Sequence, residues 1–216
     1  MKVAIIGSGI AGLSAAHALG GRADITLFEA GTYFGGHTHT VDITLSTPSG
    51  PVTHGVDTGF LVFNERTYPH LIRLFAELGV TTVKSDMSFS VQAPDALNGR
   101  KLEWSGSSLD TVFAQRSNLL NPRFFRMLRD LLRFNTLCTR IADANQEAEL
   151  MQPLADFLAA HRFSAEFRDW YFLPMLGCIW SCPTDQMLQF PVATMIRFCH
   201  NHGLMQVSNR PQWWTV

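Results

Sequence analysis

The chain has 216 residues, 46% of them hydrophobic and 16% charged, with a formal net charge of −1. That length gives one large domain or two small ones. The near-neutral balance excludes a global field for nucleic acid while leaving a local basic face open. Four cysteines, Cys138, Cys178, Cys182 and Cys199, form no CxxC pair. The spacing of Cys178 and Cys182 suits neither a redox pair nor a zinc knuckle, so they read as ordinary buried thiols in a reducing cytoplasm.

The opening stretch "VAIIGSGIAGLSAAHALGG" carries no formal charge. As one apolar run it is compatible with a signal peptide or a borderline membrane span. Its internal division points elsewhere. "KVAII" is β-branched and strand-like, "AGLSAAHAL" is helix-like, and Gly7, Gly9 and Gly12 fall between and into them in the order G-x-G-x-x-G. This is the strand-to-helix turn of a dinucleotide fold. Gly7 permits the tight turn, Gly9 lets a pyrophosphate approach the backbone, and Gly12 lets the helix lie close on the strand. The backbone from Gly7 through Ser8, Gly9, Ile10 and Ala11 to Gly12 then offers the amide groups and positive dipole end of a helix to phosphates. "ADITLFEA" reads as a second, parallel strand, with strands at 2–7 and 24–29 and a helix at 11–19. Glu29 closes that strand, where a carboxylate accepts from ribose hydroxyls and repels a 2′-phosphate. Ala30 follows it at the same corner.

Next comes "AGTYFGGHTHTV", with the pair Gly35–Gly36. A simple NAD dehydrogenase has no need of this pair. From these residues on, the chain resembles the FAD-dependent amine-oxidase-like flavoprotein superfamily, whose pattern is a G-x-G-x-x-G, an acidic residue and then a glycine pair. Many members follow the pair with arginine; here it is His37. The segments "GVDTGFLVFNERTYPHLIRLFAELGV", "MSFSV", "IWSCPTDQMLQFP" and "NHGLMQVSNRPQWWTV" are similar to a bacterial subgroup of predicted NAD/FAD-binding oxidoreductases. Related segments occur fused to plant cyclopropane-fatty-acid synthases. The resemblance implies FAD as cofactor and a Rossmann-like α/β fold with an incomplete parallel sheet. It also implies a second, mainly helical α+β domain on the substrate side, and carries an approach to the flavin ring over to Asp57, Thr58 and Gly59. Asp57 reads equally as a local turn former. Relatives are much longer and supply flavin-ring contacts from their C-terminal half. The chain's end at "RPQWWTV" is therefore expected to mark a fragment with an unpaired sheet edge.

"THGVDTGFLVF" suggests a strand and a turn at Asp57–Gly59, and "YPHLIRLFAELGV" a short helix with Pro69 in its first turn, Gly79 past its end and a buried stripe of Leu71, Leu74, Phe75 and Leu78. "TTVKSDMSFSVQA" is one strand candidate, with Met87, Phe89 and Val91 alternating, and "GRKLEW" its partner. A boundary near residue 80 divides an FAD-binding part, 1–80, from a substrate-side part, 81–216. Asn121 caps and Pro122 opens a long helix to about Ala144. One face of it gathers Phe124, Met127, Leu128, Leu131, Phe134, Cys138 and Ile141. Arg126, Arg129, Arg133 and Arg140 fall in a narrow arc on the other side. That arc reads either as a solvated face or as a surface for acidic headgroups or an anionic partner.

Helical patterns follow at 153–161, 164–173 and 191–201. The stretch "WYFLPMLGCIWSC" is either plain core or the wall of an apolar substrate tunnel lined by Trp170, Tyr171, Phe172 and Trp180. His37 with His39, and His200 with His202, share a side if extended, but lack a ligand set for a metal. Ser164 and Ser181 look like cap or turn residues. The catalytic residue is left unassigned, because the flavin performs the oxidation and the protein orients and tunes it. Two functions stand: an FAD-dependent oxidoreductase acting on an amine or an unsaturated lipid-like compound, and a non-catalytic FAD- or nucleotide-binding module.

Overall fold

The structure, a computed structural model, describes residues 1–144, 150–180, 182–206 and 210–216. Ser181 lies outside the described residues. The chain forms two units, Met1–Ser85 with Trp213–Val216, and Asp86–Gln212. The division falls past the boundary expected near residue 80, and the last four residues return to the first unit. Local sequence carries no mark of that return.

In the first unit, β1 (Lys2–Ile6) and β2 (Asp24–Phe28) are parallel, from Lys2 opposite Asp24 to Ile6 opposite Phe28. The helix α1 (Ile10–Leu19) joins them. β3 (Thr40–Thr47) and β4 (Gly50–Asp57) make an antiparallel hairpin, from Thr40 opposite Asp57 to Thr47 opposite Gly50. β5 (Phe63–Asn64) and β6 (Val83–Ser85) both pair with β9 (Trp213–Thr215), the middle strand of a three-stranded sheet. α2 (Pro69–Leu78) begins on Pro69, as its fixed φ favours, and ends on Gly79 at φ 67°. Its stripe is only partly sheltered: Leu71, Leu74 and Phe75 are half-buried, while Leu78 is exposed. Buried residues are few in this unit: Ser8, Gly35, Phe63, Asn64 and Trp213.

The second unit holds the main core. The expected strand over residues 81–93 is in fact two: β6 belongs to the first unit, whereas β7 (Ser90–Ala93) pairs antiparallel with β8 (Leu102–Ser105) in the second. A single period-2 pattern can run across a break that only partner choice creates. After the short α3 (Leu109–Val112), the helix α4 spans Pro122–Ala144. Asn121 Oδ1 accepts from the N–H of Arg123 at 3.0 Å and caps it. Phe124, Met127, Phe134, Cys138 and Ile141 are buried as expected, and Leu128 and Leu131 partly so. Asp130 is buried among them. Burial pushes its carboxyl up, but hydrogen bonds from Ser164 and the Arg133 and Arg129 charges outweigh this, and it ends below its ordinary value.

The helices Leu154–Ala160 and Val192–Asn201 flank a composite one: Ala165–Phe167, a turn of π-helix at Arg168–Phe172, and Leu173–Trp180. Ser164 Oγ caps the start, accepting from the N–H of Phe167 at 3.2 Å. Pro174 has no N–H to offer the carbonyl of Trp170 four residues back; that carbonyl accepts from Trp104 Nε1 at 3.1 Å. Trp170, Tyr171 and Phe172 are core, not a tunnel wall: they are buried, and Phe172 packs between Phe134 and Phe167. Trp180 alone of the four borders a small void, with Leu176, Met187 and Met195. The buried-thiol reading holds for Cys138 and Cys199; Cys178 is exposed and Cys182 partly so. Among the described residues no helix is long and apolar enough to cross a membrane.

Candidate functional site

At the tip of β1 the chain turns through Gly7, at φ 92°, a conformation open to glycine and strained for other residues. The N–H of Gly7 donates to the carbonyl of Phe28 at 2.7 Å, which ties the two strand ends together. A Cβ on Gly12 would lie 2.0 Å from the carbonyl oxygen of Gly7, so only glycine lets α1 start this close to the turn. Gly7 and Gly9 differ: a Cβ on either meets no heavy atom within 4 Å. Gly9 is the N-cap of α1 and no side chain caps it. Ile10 and Ala11, exposed, begin the helix there. An open backbone turn feeding an uncapped helix start fits a bound pyrophosphate.

Glu29 stands at the end of β2, exposed. Ser8 is fully buried, and both its N–H, at 2.8 Å, and its hydroxyl donate to Glu29 Oε2. The N–H of Gly31 donates to Oε1 at 2.7 Å. These bonds, the Ser8 hydroxyl first, lower the Glu29 pKa from 4.5 to about 2. Because the folded value is depressed, this latch is intact above the ordinary carboxylate range and is lost only as pH falls through about 2. A carboxylate has lone pairs beyond those the three bonds occupy, so an exposed ribose hydroxyl finds an acceptor here. Ala30 is exposed beside it.

The glycine pair closes on the same place. The N–H of Gly35 donates to the carbonyl of Ser8 at 2.9 Å, and Gly35 bridges Gly9 as a parallel partner. A Cβ on Gly36 would stand 3.1 Å from the Cα of Gly9. Both glycines have positive φ, 117° and 61°. Thr38, which sequence reasoning did not single out, closes the turn: its hydroxyl donates to the carbonyl of Gly35 at 2.6 Å.

The structure thus brings Gly7, Ser8, Gly9, Ile10, Ala11, Gly12, Glu29, Ala30, Gly35 and Gly36 to one corner. His37, Asp57, Thr58 and Gly59 run on from it along the base of the hairpin. The carbonyl of His37 accepts from the N–H of Phe60 at 2.9 Å, and a Cβ on Gly59 would fall 1.9 Å from that oxygen. Thr58 bonds His39 through its N–H at 2.8 Å. Asp57 takes a hydrogen bond from the Thr40 hydroxyl at 2.6 Å, closing the open end of the hairpin.

The histidine pairs do not share faces. His37 sits in the turn and His39 stacks on Tyr33 at 4.1 Å. His200 lies 3.5 Å from Asp143, whereas His202, capping that helix, contacts the carbonyl of Phe198. Two residues apart on a helix are about 200° apart around it. Among the described residues, no three His, Cys, Asp or Glu side chains group as a metal site.

A family model for an NAD(P)-binding Rossmann-like domain matches residues 5–78, the corner and the hairpin. No curated protein matches the chain. Among solved structures, a redesigned putrescine oxidase is similar at 20% identity and a TM-score of 0.56, over 98% of this chain and 45% of that one. A fatty acid isomerase from P. acnes that produces CLA is similar at 16% identity and a TM-score of 0.53, over 98% and 45%. The chain therefore spans less than half the length of the solved structures it matches. Over that span it has an α/β architecture, and its fold is that of these solved oxidase and isomerase structures.

Proposed function

We propose that this chain is the dinucleotide-binding and substrate-side part of an FAD-dependent oxidoreductase of amine-oxidase-like type, acting on an amine or an unsaturated lipid-like compound. The observation that carries the reading is the three-way closure at Ser8, which joins the tip of β1, the acid ending β2 and the glycine pair. An acid alone serves any dinucleotide. The glycine pair drawn against Gly9 leads the chain on past the adenosine half of the cofactor, toward the side where a flavin would lie. The likeness to a putrescine oxidase and a fatty acid isomerase supports both substrate classes.

In this reading the turn Gly7–Gly12 and the start of α1 hold the pyrophosphate and Glu29 orients the adenosine ribose. His37 and Asp57–Gly59 continue toward the flavin, which when bound accepts the electrons of the substrate bond. Unit 2 forms the substrate side.

The test is calorimetric titration of the chain with ADP, FAD and NADH, alongside Glu29→Ala. FAD and ADP are expected to bind. The variant is expected to bind them at least tenfold more weakly, about the loss of one charge-assisted hydrogen bond. A yellow sample bleached by dithionite supports the redox reading. Uptake of ADP without FAD favours a non-catalytic nucleotide module. Tight NADH binding without flavin sinks the assignment.

A further inference from the structure

We propose that the outward face of α4 is a docking surface for a membrane containing anionic phospholipid. Two carboxylates lie beneath this face with their side chains almost wholly buried, Asp130 at 1% and Glu166 at 8% exposure. They hold four arginines from below. Arg129 and Arg133 stand 3.5 and 3.6 Å from Asp130, and Arg123 and Arg126 stand 2.8 and 3.7 Å from Glu166. Arg133 also lies over the ring of Phe163 and Arg123 over that of Trp170. The negative charges are turned into the protein, and the guanidiniums, between 44% and 74% exposed, are turned out. An anion arriving from solvent meets ordered cations first. Four of them stand over two buried acids, so the cluster keeps net positive charge.

The side of the helix turned away from Arg123 and Arg126, next to Arg129 and Arg140, is also apolar. Phe125 is 46% and Leu132 56% exposed. Steps of three and four residues place Phe125, Arg129, Leu132, Thr136 and Arg140 in one stripe along the helix. The turn leading into α4 exposes Leu119 and Leu120. A soluble polyanion without bases to stack gains little from an exposed Phe, and none gains much from an exposed Leu. A lipid interface gains from both, phosphate on guanidinium and acyl chain on side chain. Asp143, paired with His200 at 3.5 Å, ends the positive stripe beyond Arg140. This surface lies within the second unit and does not depend on the flavin reading.

The test is co-sedimentation of the whole chain with vesicles of phosphatidylcholine alone and of phosphatidylcholine with phosphatidylglycerol, at low and high salt. The protein is expected to pellet with the phosphatidylglycerol vesicles only, and less at high salt. Replacing Arg129 and Arg140 together by Gln is expected to lower that partition roughly thirtyfold, about the joint effect of two cations at an anionic surface. Replacing Phe125 and Leu132 by Ser is expected to lower it too, each variant keeping the parent circular dichroism. The proposal is overturned by equal partition into both vesicle types, by no partition of natively folded protein, or by undiminished binding of the arginine variant. Retention on heparin that needs the arginines but not Phe125 and Leu132, without vesicle binding, also overturns it and assigns the face to a soluble polyanion.

Discussion

Gly9 and Gly12 occupy the same short turn, yet the structure asks different things of them. Gly12 has no room: a Cβ would stand 2.0 Å from a backbone oxygen. A Cβ on Gly9 would meet no heavy atom within 4 Å, and in the proposed function that space is left for the bound nucleotide. Gly9→Val is therefore expected to keep the first unit folded, at a cost of about 1 kcal/mol for a β-branched residue at the N-cap of α1, while abolishing nucleotide binding. Gly12→Val is expected to lose folded structure in the first unit outright. Calorimetric titration beside a thermal melt separates the two. A Gly9→Val protein that still takes up ADP or FAD would remove this turn from the site. The motif and the separate roles of Gly9 and Gly12 were legible in the sequence as a spacing of glycines; the structure adds which atoms face each absent side chain.

Element boundaries set by local chemistry were legible. Asn121–Pro122 opens α4 and Pro69 and Gly79 bracket α2, because caps and proline act within one turn. The composite helix at residues 165–180 was not, because the group that satisfies its interrupted ladder lies 66 residues away. Trp104 Nε1, from β8, donates to the carbonyl that Pro174 leaves without its i+4 donor. Trp104→Phe keeps the aromatic volume and removes that donor. It is expected to destabilise the second unit by about 1–3 kcal/mol, the cost of a buried carbonyl losing its partner, measured as a shift in the urea midpoint at unchanged slope. An unchanged midpoint would mean that water or a relaxed helix satisfies Trp170. The apolar run "WYFLPMLGCIW" reads alike as tunnel or core. Only the rings of Phe134 and Phe167 against Phe172 decide for core.

At the scale of the molecule, the last residues pair, in one sheet, with two strands from the first 85 residues of the chain. β9 pairs with β5 through Phe63–Trp214 and with β6 through Lys84–Trp214, and the Thr215 hydroxyl donates to the carbonyl of Leu61 at 2.8 Å. Removing Trp213–Val216 takes the middle strand from that sheet and leaves two edges. Hydrogen exchange read by mass spectrometry is expected to show protection lost at Phe63–Asn64 and Val83–Ser85, with β7 and β8 unchanged. Protection retained in β5 and β6 would show that the pairing with β9 is not what holds them.

By itself the sequence determined the chemistry of the corner: three glycines at a strand-to-helix turn, an acid closing the next strand and a glycine pair after it. The turn glycines answer short-range constraints, within five residues of one another, and the acid and the glycine pair are marked by residue type and position just past the strand that follows. The tertiary structure alone decided three things. Ser8 became the buried knot joining that acid to the glycine pair; a run that reads as one strand was divided between two units; and two acids were buried beneath a row of arginines. Each depends on groups far apart in sequence meeting in space, and on which of several equivalent partners burial leaves within reach.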